Sequence, residues 1–193
     1  LPKSQAYHEI WLDEEKVADV KEEKETIYGS TYLPRKFKIS IAIPPHNDVD
    51  VNGNDLSFVA IIEEEKLIGY NVLIGGGMGC THSTPGTYPQ IAKDIGFIKK
   101  TDIRKIAEAV VTTQRDYGDR TDRKKARLKY TVDRMGVDDF RKEVEKRSKI
   151  KLAKSKPYTF ISHADRFGWI KNIDGTWNLT LFIEHGRITD KPN

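Results

Sequence analysis

Cysteine is almost absent from this sequence, which contains Cys80 as its single example in 193 residues. One thiol excludes an internal disulfide and cannot supply the thiolates of an iron–sulfur cluster or a structural zinc site. Long apolar runs are absent as well, since no stretch approaches the roughly 20 residues of a membrane span. The sequence begins at Leu1 without an initiator Met or a signal segment, so we predict a cytoplasmic piece of a longer chain.

Charge is abundant, but its two signs nearly balance. Lys and Arg number 33 and Asp and Glu 29, which leaves a formal net charge of +4. This excess is compatible with an anionic ligand, although it is small for a dedicated nucleic-acid binder. With 37% hydrophobic residues, the chain is long enough for one sizeable core, or for one domain and part of a second.

Apolar and alternating segments predict strands in the first half of the sequence. We expect them at 6–13, within "YLPRKFKISIAIPP" at 32–45, at 56–64 and at 66–76, and the last two are close enough to form a hairpin. The acid-rich stretch 14–25 is expected to be a solvated loop or a short helix.

Helical periodicity dominates the middle of the sequence. Apolar residues recur at the spacing of a buried helix stripe, namely Ile103, Ile106, Ala107, Val110 and Val111. A second helix is expected over 122–135, stopped by Gly136, and a third over 138–147 with Phe140 and Val144 on one side.

The end of the sequence changes character. The basic segment 149–156 is expected to be a linker, and "YTFI" at 158–161 and "WNLTLFIEHGRI" at 177–188 are strand-like. An Asp174-Gly175 turn signal precedes the second of these strands. They have too little chain to build a core of their own. We therefore expect them to open a second unit.

Two lysines in the first basic segment pose a question of charge. On a strand, Lys36 and Lys38 share a face and lie roughly 7 Å apart, given a rise of about 3.3 Å per residue. Their repulsion is about 0.6 kcal/mol in water and about 2.4 kcal/mol at an effective dielectric near 20. A solvated face that protects a sheet edge therefore explains the pair if it is wet, whereas a sheltered pair needs an anion.

A second basic group lies in "TTQRDYGDRTDRKKARLKY" at 112–130. At about 100° per residue, Arg123, Lys124 and Arg127 share one side of the second predicted helix. Lys125 and Lys129 are expected to point elsewhere, into solvent. The alternative for the cationic side is a surface of ion pairs with nearby aspartates, each worth little.

The glycine run "IGGGMGCTH" at 74–82 does not match a phosphate-binding motif. It offers backbone that a large flat ligand could approach closely, although a plain glycine turn or bulge explains it equally well. Combined with two basic groups, it suggests a ligand rich in carboxylates or phosphates, which arginine can grip in two places. A non-catalytic module for nucleic acid or another polyanion is the rival interpretation.

Four segments carry a resemblance to a known family: "TYLPRKFKISIAIPPHNDVDV", "GYNVLIGGGMGCTH", "VVTTQRDYGDRTDRKKARLKYTVDR" and "HADRFGWIKNIDGTWNLTLFIEHGRI". Together they resemble the siroheme-containing sulfite/nitrite reductases, and within that family the hemoprotein (beta) subunits of assimilatory, NADPH-dependent sulfite reductases. The resemblance implies a mixed sheet with helices packed on it, of the α+β or α/β class. Residues 1–150 would form most of a first siroheme and 4Fe–4S type domain, and 151–193 a linker and the incomplete start of a second ferredoxin-like half-domain.

The resemblance also implies roles for residues at matching positions. Lys36 and Lys38 would bind the anionic substrate and deliver protons. Siroheme would be bound by a larger set: Arg35, Gly75, Gly76, Gly77, Gln114, Arg115, Arg120 and Arg127. None of these is a metal ligand, and His82 is expected to be structural rather than bound to iron.

The activity implied is reduction of sulfite to sulfide, for sulfur assimilation and cysteine biosynthesis, at a siroheme coupled to a 4Fe–4S cluster. Electrons would come from an NADPH-dependent flavoprotein (alpha) subunit. Cys80 does not match the family's cluster cysteines, so we expect this chain alone to be inactive and to bind neither cofactor firmly. Nitrite is the alternative substrate, and Lys38 favours sulfite because the nitrite branch tends to carry Asn there. We expect no nucleic-acid or membrane partner, and a homodimer of the piece through an exposed half-interface.

Overall fold

The structure, a computed structural model, describes residues 9–13, 15–19, 25–186 and 188. Its central element is a four-stranded sheet in the order β3-β4-β5-β6, and a separate two-stranded sheet precedes it. The strands are β1 (Glu9–Leu12), β2 (Glu15–Asp19), β3 (Ile39–Ala42), β4 (Leu56–Glu63), β5 (Lys66–Ile74) and β6 (Lys93–Lys99).

The central sheet is mixed. Strand β3 runs parallel to β4, whereas β4, β5 and β6 are antiparallel to their neighbours. The expected hairpin of β4 and β5 is confirmed, and so is the mixed sheet with helices. Strand β6 was not predicted, because the charged ends of "KDIGFIK" and its central Gly96 hide the alternation of its apolar residues.

Strand β2 corrects the expectation for the acid-rich stretch. Residues Glu15–Asp19 pair antiparallel with β1, so this part is neither a loop nor a helix. The expected strand at 6–13 is confirmed where it is described, over Glu9–Leu12. Residues 6–8, 14 and 20–24 lie outside the described part of the chain.

Three helices cover one face of the sheet: α1 (Ile103–Tyr117), α2 (Leu128–Met135) and α3 (Val137–Ser148). The predicted stripe of α1 is confirmed, since Ile106 and Val110 are fully buried. Phe140 and Val144 of α3 are fully buried too, as expected. They pack with sheet residues such as Leu56 into the main core. This core holds the helical layer on the sheet.

Helix α2 begins later than predicted. The Asp122 carboxylate accepts a hydrogen bond from the Lys124 amide, which stabilises a short 3-10 turn at Arg123–Lys125. Arg127 then has extended backbone, with φ −80° and ψ 156°, and α2 starts at the next residue. The expected helical face of Arg123, Lys124 and Arg127 is therefore wrong. Gly136 ends the helix as predicted, with φ 83°.

The other face of the sheet carries a smaller core. It contains Ala42, Val51, Val59 and Leu73, with Phe160 packed against them. Period-two alternation in β3 turns Ala42 toward this core and leaves Ile39 and Ile41 about half exposed on the helix side, where β3 is the edge strand.

The chain after α3 moves from the main core, which contains Leu152, past the edge strand β6 to this second face, where Phe160 packs. Phe97 and Ala153 exchange backbone hydrogen bonds, both of 2.9 Å. The buried Asn71 side chain donates to the Lys156 carbonyl at 2.7 Å and accepts from its amide at 3.0 Å. The segment expected as a linker is thus attached to the sheet, and the strand expected at 158–161 does not form. Farther on, β7 (Gly168–Lys171) and β8 (Trp177–Thr180) form a hairpin around the predicted Asp174-Gly175 turn.

The buried Glu145 attaches this segment to α3. Its carboxylate accepts hydrogen bonds from Lys151 Nζ at 2.7 Å, from the Leu152 amide at 3.0 Å and from Arg141 Nε at 3.2 Å. Burial alone would raise the pKa of Glu145, but these hydrogen bonds outweigh it and lower the pKa below its usual value. The carboxylate therefore stabilises the fold in its charged form.

We predict that Glu145→Gln lowers the free energy of unfolding by about 1–3 kcal/mol at pH 7, because an amide cannot accept all three hydrogen bonds. A depressed pKa contributes stability above the ordinary value of 4.5, and this contribution is lost as the pH falls below it. The deficit should therefore shrink in acid. Urea unfolding at pH 7 and pH 3.5 measures both effects. Asp139→Asn, in an exposed pair with Lys142 on the same helix, is the control and should cost under about 0.5 kcal/mol. Equal losses in the two variants would contradict the assignment.

Candidate functional site

A cleft of about 730 Å³ opens where β3, the loop before β4 and the end of the glycine run meet. Four of the predicted basic residues line it together, although they come from distant parts of the sequence. Lys36 and Lys38 precede β3 rather than lying within it. The full lining is Arg35, Lys36, Lys38, Asn47, Val49, Asp50, Asn52, Gly53, Asn54, Met78, Gly79, Ile91, Arg127 and His163.

The cations of the cleft are mostly unpaired. Within the described ranges, Arg35, Lys36 and Lys38 have no ion pair with a carboxylate, and Asp50 is the one acidic residue of the lining. The three cations are exposed to the cleft and its solvent. Their mutual repulsion is relieved by water or by a bound anion.

Asp55 positions two of the cationic residues from behind the cleft. It is 1% exposed, and its carboxylate accepts a hydrogen bond from the Lys38 amide at 2.9 Å. The same carboxylate binds the guanidinium of Arg127 at 2.9 Å. Sequence reasoning missed Asp55, whose only signal was an acidic residue directly before a buried strand. Asp55 therefore holds the segment that leads into β3 next to the residue that precedes α2.

The predicted glycines lie beneath the cleft. Gly75, Gly76 and Gly77 are buried and do not line it. A Cβ on Gly76 would lie 2.6 Å from the Asn54 carbonyl oxygen, so glycine is needed there for the loop before β4 to pack. A Cβ on Gly77 would lie 3.2 Å from Nη1 of Arg127. The close backbone approach offered by these glycines is thus used by the protein itself.

Three other predicted residues lie away from the cleft. Arg115 donates from Nη1 to the Ile27 carbonyl at 2.7 Å, and Arg120 donates from Nη2 to the Tyr32 carbonyl at 2.7 Å. Gln114 is 2% exposed and donates to the Ala126 carbonyl at 2.9 Å. Its Oε1 has no hydrogen-bond partner among the residues that the structure describes.

A second cavity, of about 420 Å³, adjoins the cleft and shares Arg35 and Lys36 with it. Tyr28 and Tyr32, whose rings stack at 6.2 Å, form one of its walls. Arg115 and Arg120 bind this wall through hydrogen bonds to the backbone carbonyls of Ile27 and Tyr32. The two arginines are thereby linked to the cleft through backbone rather than by direct contact.

Lys129 is not solvated as expected but 1% exposed. Its ammonium donates to the carbonyls of Gly77 at 3.0 Å and Gly79 at 2.8 Å, and also to that of Tyr88. Burial, and next the neighbouring Arg127, lower its pKa. The apolar stem lies on the helix face that faces the sheet, and the charged tip holds the loop that carries Met78 and Gly79 at the cleft.

This arrangement fits some cofactors and not others. Three cations around an open cleft, without carboxylate partners among the described residues, suit a ligand with several carboxylates, which is what siroheme carries. For a metal cluster, by contrast, the described residues contain no group of three or more His, Cys, Asp or Glu side chains that could hold an ion. Cys80 is an exposed free thiol.

Comparison with known proteins identifies the family. Residues 1–152 match the model of the nitrite and sulphite reductase 4Fe-4S domain. The chain belongs to this family. It is 59% identical over 192 residues to the sulfite reductase [NADPH] hemoprotein beta-component of Tolumonas auensis, covering 100% of this chain and 34% of that protein. It is 56% identical over 191 residues to the protein of the same name from Bacillus subtilis, and the match covers 98% of this chain and 34% of that protein.

A solved structure shares the fold. The Mycobacterium tuberculosis NirA protein superimposes with a TM-score of 0.63 at 27% identity, covering 77% of this chain and 26% of NirA. The family expected from the sequence is confirmed, and the chain spans about a third of the length of the relatives given above. Across the described ranges, no helix is both long and apolar enough to cross a membrane.

We predict that Lys129→Met lowers the free energy of unfolding by about 2–4 kcal/mol, because it removes the charged donor that the carbonyls of Gly77, Gly79 and Tyr88 share. The amide resonances of Gly77 and Gly79 should shift as their loop loosens, which an NMR amide map measures alongside urea unfolding. Lys125→Met is the matched control, since that side chain is 45% exposed and lies 4.0 Å from its partner Asp122. It should cost under about 0.5 kcal/mol. A Lys129 variant as stable as the Lys125 variant would refute the role.

Proposed function

We propose that this chain supplies the anion-binding part of a siroheme sulfite reductase. The observation that carries the proposal is the convergence of Arg35, Lys36 and Lys38 on one cleft without carboxylate partners among the described residues. Family membership supports the same function, because the relatives compared above are named sulfite reductases. Arg35 and Arg127 would bind carboxylates of siroheme, and the lysines would face the substrate.

The two lysines perform the chemistry that the chain contributes. When bound, siroheme supplies the iron at which electrons reach sulfite. Lys36 and Lys38 would attract the oxyanion by charge and stabilise negative charge on its oxygens. Each departing oxygen of sulfite must be protonated to leave as water, and in this proposal the Nζ groups of Lys36 and Lys38 donate those protons. Substrate binding and acid catalysis therefore use the same two groups.

The remaining predicted residues act at a distance in this proposal. Arg115 and Arg120 position the wall next to Arg35 through the Ile27 and Tyr32 carbonyls. Gln114 joins α1 to the segment that leads to Arg127. The buried Gly75, Gly76 and Gly77 let the loop before β4 form the cleft floor. All six are positioning residues for the siroheme site.

The whole enzyme's other properties are carried over from the family. We propose that the 4Fe–4S cluster is held by cysteines outside this chain, that electrons come from an NADPH-dependent flavoprotein, and that the setting is the cytoplasm. Sulfite is favoured over nitrite by Lys38 and by the names of the relatives. A homodimer of the chain stays a prediction. Nothing specific in the cleft favours nucleic acid, since no row of exposed aromatics accompanies its cations.

We predict that sulfite added to the isotope-labelled chain shifts the amide resonances of residues 35–38, Gly79 and Arg127, with weak affinity. The double change Lys36→Gln with Lys38→Gln should weaken binding by about tenfold, because it removes the charges that hold the anion. The control is Lys99→Gln with Lys100→Gln, an equal loss of charge at exposed residues away from the cleft. It should leave binding within about twofold. Shifts at residues 99–105 instead of the cleft would contradict the proposal.

The activity of the isolated chain is a separate prediction. With siroheme added and reduced methyl viologen as electron donor, we expect no sulfite reduction and only weak siroheme absorption changes, because the cluster ligands are not in this chain. Sulfide release above the rate of free siroheme would show that the chain is catalytically sufficient. The control is the same mixture with the Lys36 and Lys38 double variant.

A further inference from the structure

His163 lines the same cleft as the lysines, although the family resemblance gives it no role. It arrives from the far end of the described chain, after the segment that crosses the sheet. The Ile161 amide donates to the Pro45 carbonyl at 2.8 Å, and the Ser162 carbonyl accepts from the Asn47 amide at 2.9 Å. Backbone pairing thus fixes where His163 leaves the chain.

A hydrogen-bond chain determines which ring nitrogen of His163 carries its proton. The Val51 amide can only donate, and it donates to Oδ1 of the buried Asn47 at 2.9 Å. The other end of the Asn47 side chain is therefore the NH₂ group, which lies 3.1 Å from Nδ1 of His163. An amide NH₂ can only donate, so Nδ1 must accept. The single proton of the neutral ring consequently lies on Nε2.

The Nε2–H group is available to a ligand. Among the described residues it has no hydrogen-bond partner, and the side chain is exposed at the cleft. The ring is also held by an edge contact with Phe160, at 5.9 Å between centroids. Because the ring is already held on one side, binding a ligand on the other side costs it little further conformational entropy.

We propose that His163 is a binding residue of the cleft that donates an Nε2–H hydrogen bond to an anionic oxygen. This inference rests on the proposed function, because it takes the cleft to hold siroheme and sulfite. The oxygen belongs to sulfite or to a siroheme carboxylate, which present the same chemistry to the donor. His163 lines the same cleft as Lys36 and Lys38, and its ring N–H adds direction where the ammonium groups add charge.

The ring tautomer can be measured without any ligand. Long-range nitrogen–proton NMR of the labelled chain should show His163 with Nε2 protonated and Nδ1 bare. In Asn47→Asp the facing group becomes a carboxylate oxygen, which accepts, so Nδ1 should gain a proton. A wild-type ring protonated at Nδ1, or a variant with an unchanged pattern, would overturn the hydrogen-bond chain and the inference with it.

Ligand binding is tested with two substitutions of different kinds. His163→Phe keeps the ring against Phe160 and removes the donor, and it should weaken binding about fivefold. His163→Gln keeps an NH donor on a chain of similar reach and should stay within about twofold of the wild type. His185→Phe, at a side chain 87% exposed in the terminal 3-10 turn, is the matched control and should change nothing.

The two probes are sodium sulfite alone and siroheme alone. If His163→Phe weakens the binding of sulfite, the contact is with the oxyanion. If it weakens only the binding of siroheme, the contact is with a carboxylate. Either result supports the inference. Equal affinity of His163→Phe and wild type for both probes overturns it. If the Lys36 and Lys38 double variant still binds weakly in that case, the proposed function survives. If that variant binds as wild type, the proposed function itself has failed.

Discussion

A buried aspartate with three partners, two on its carboxylate and one on its backbone carbonyl, is the constraint on which the cleft depends. Asp55 is almost inaccessible to solvent, and a charge in that position is tolerated only where donors surround it. Its carboxylate accepts a hydrogen bond from the Lys38 amide and pairs with the Arg127 guanidinium. Its backbone carbonyl accepts a hydrogen bond from the Gly75 amide at 2.8 Å. The approach to β3, the end of β5 and the start of α2 must therefore meet at one point. The lysines, the glycine run and Arg127 are brought together by that requirement.

Lys129 is a second buried charge near the cleft, a cation whose ammonium donates to the carbonyls of Gly77 and Gly79. Together with Asp55 it fixes the framework through charges that no ligand is needed to neutralise. Arg35, Lys36 and Lys38 have no such partners in the part of the chain that the structure describes. Keeping like charges adjacent costs stability, and an anion that enters the cleft recovers that cost. If the cleft binds an anion as proposed, its positive charges are in place before the ligand arrives, which is the usual origin of strong electrostatic stabilisation.

Local patterns predicted much of the fold, and distant pairings could not be predicted. The stripe of α1, the hairpin of β4 and β5 and the stop at Gly136 depend on neighbours within a few residues. The pairing of Asp55 with Arg127 joins residues 72 positions apart and leaves no periodic trace. The expectation that Lys129 is solvated was wrong for a related reason. A lysine beside an apolar stripe normally points to water, and here the distant carbonyls of Gly77, Gly79 and Tyr88 bind its ammonium instead.

The cleft also bears on where the chain divides into units. A boundary at residue 150 would remove Leu152 from the main core and leave the buried Asn71 side chain without its two hydrogen bonds to Lys156. Such a boundary would also separate His163 from the cleft, and the Asn47 side chain would lose the Nδ1 atom that accepts its hydrogen bond. Burying an amide without partners costs about 1–3 kcal/mol. We therefore propose that the first unit extends to about residue 163, and that the exposed hairpin of β7 and β8 begins the next.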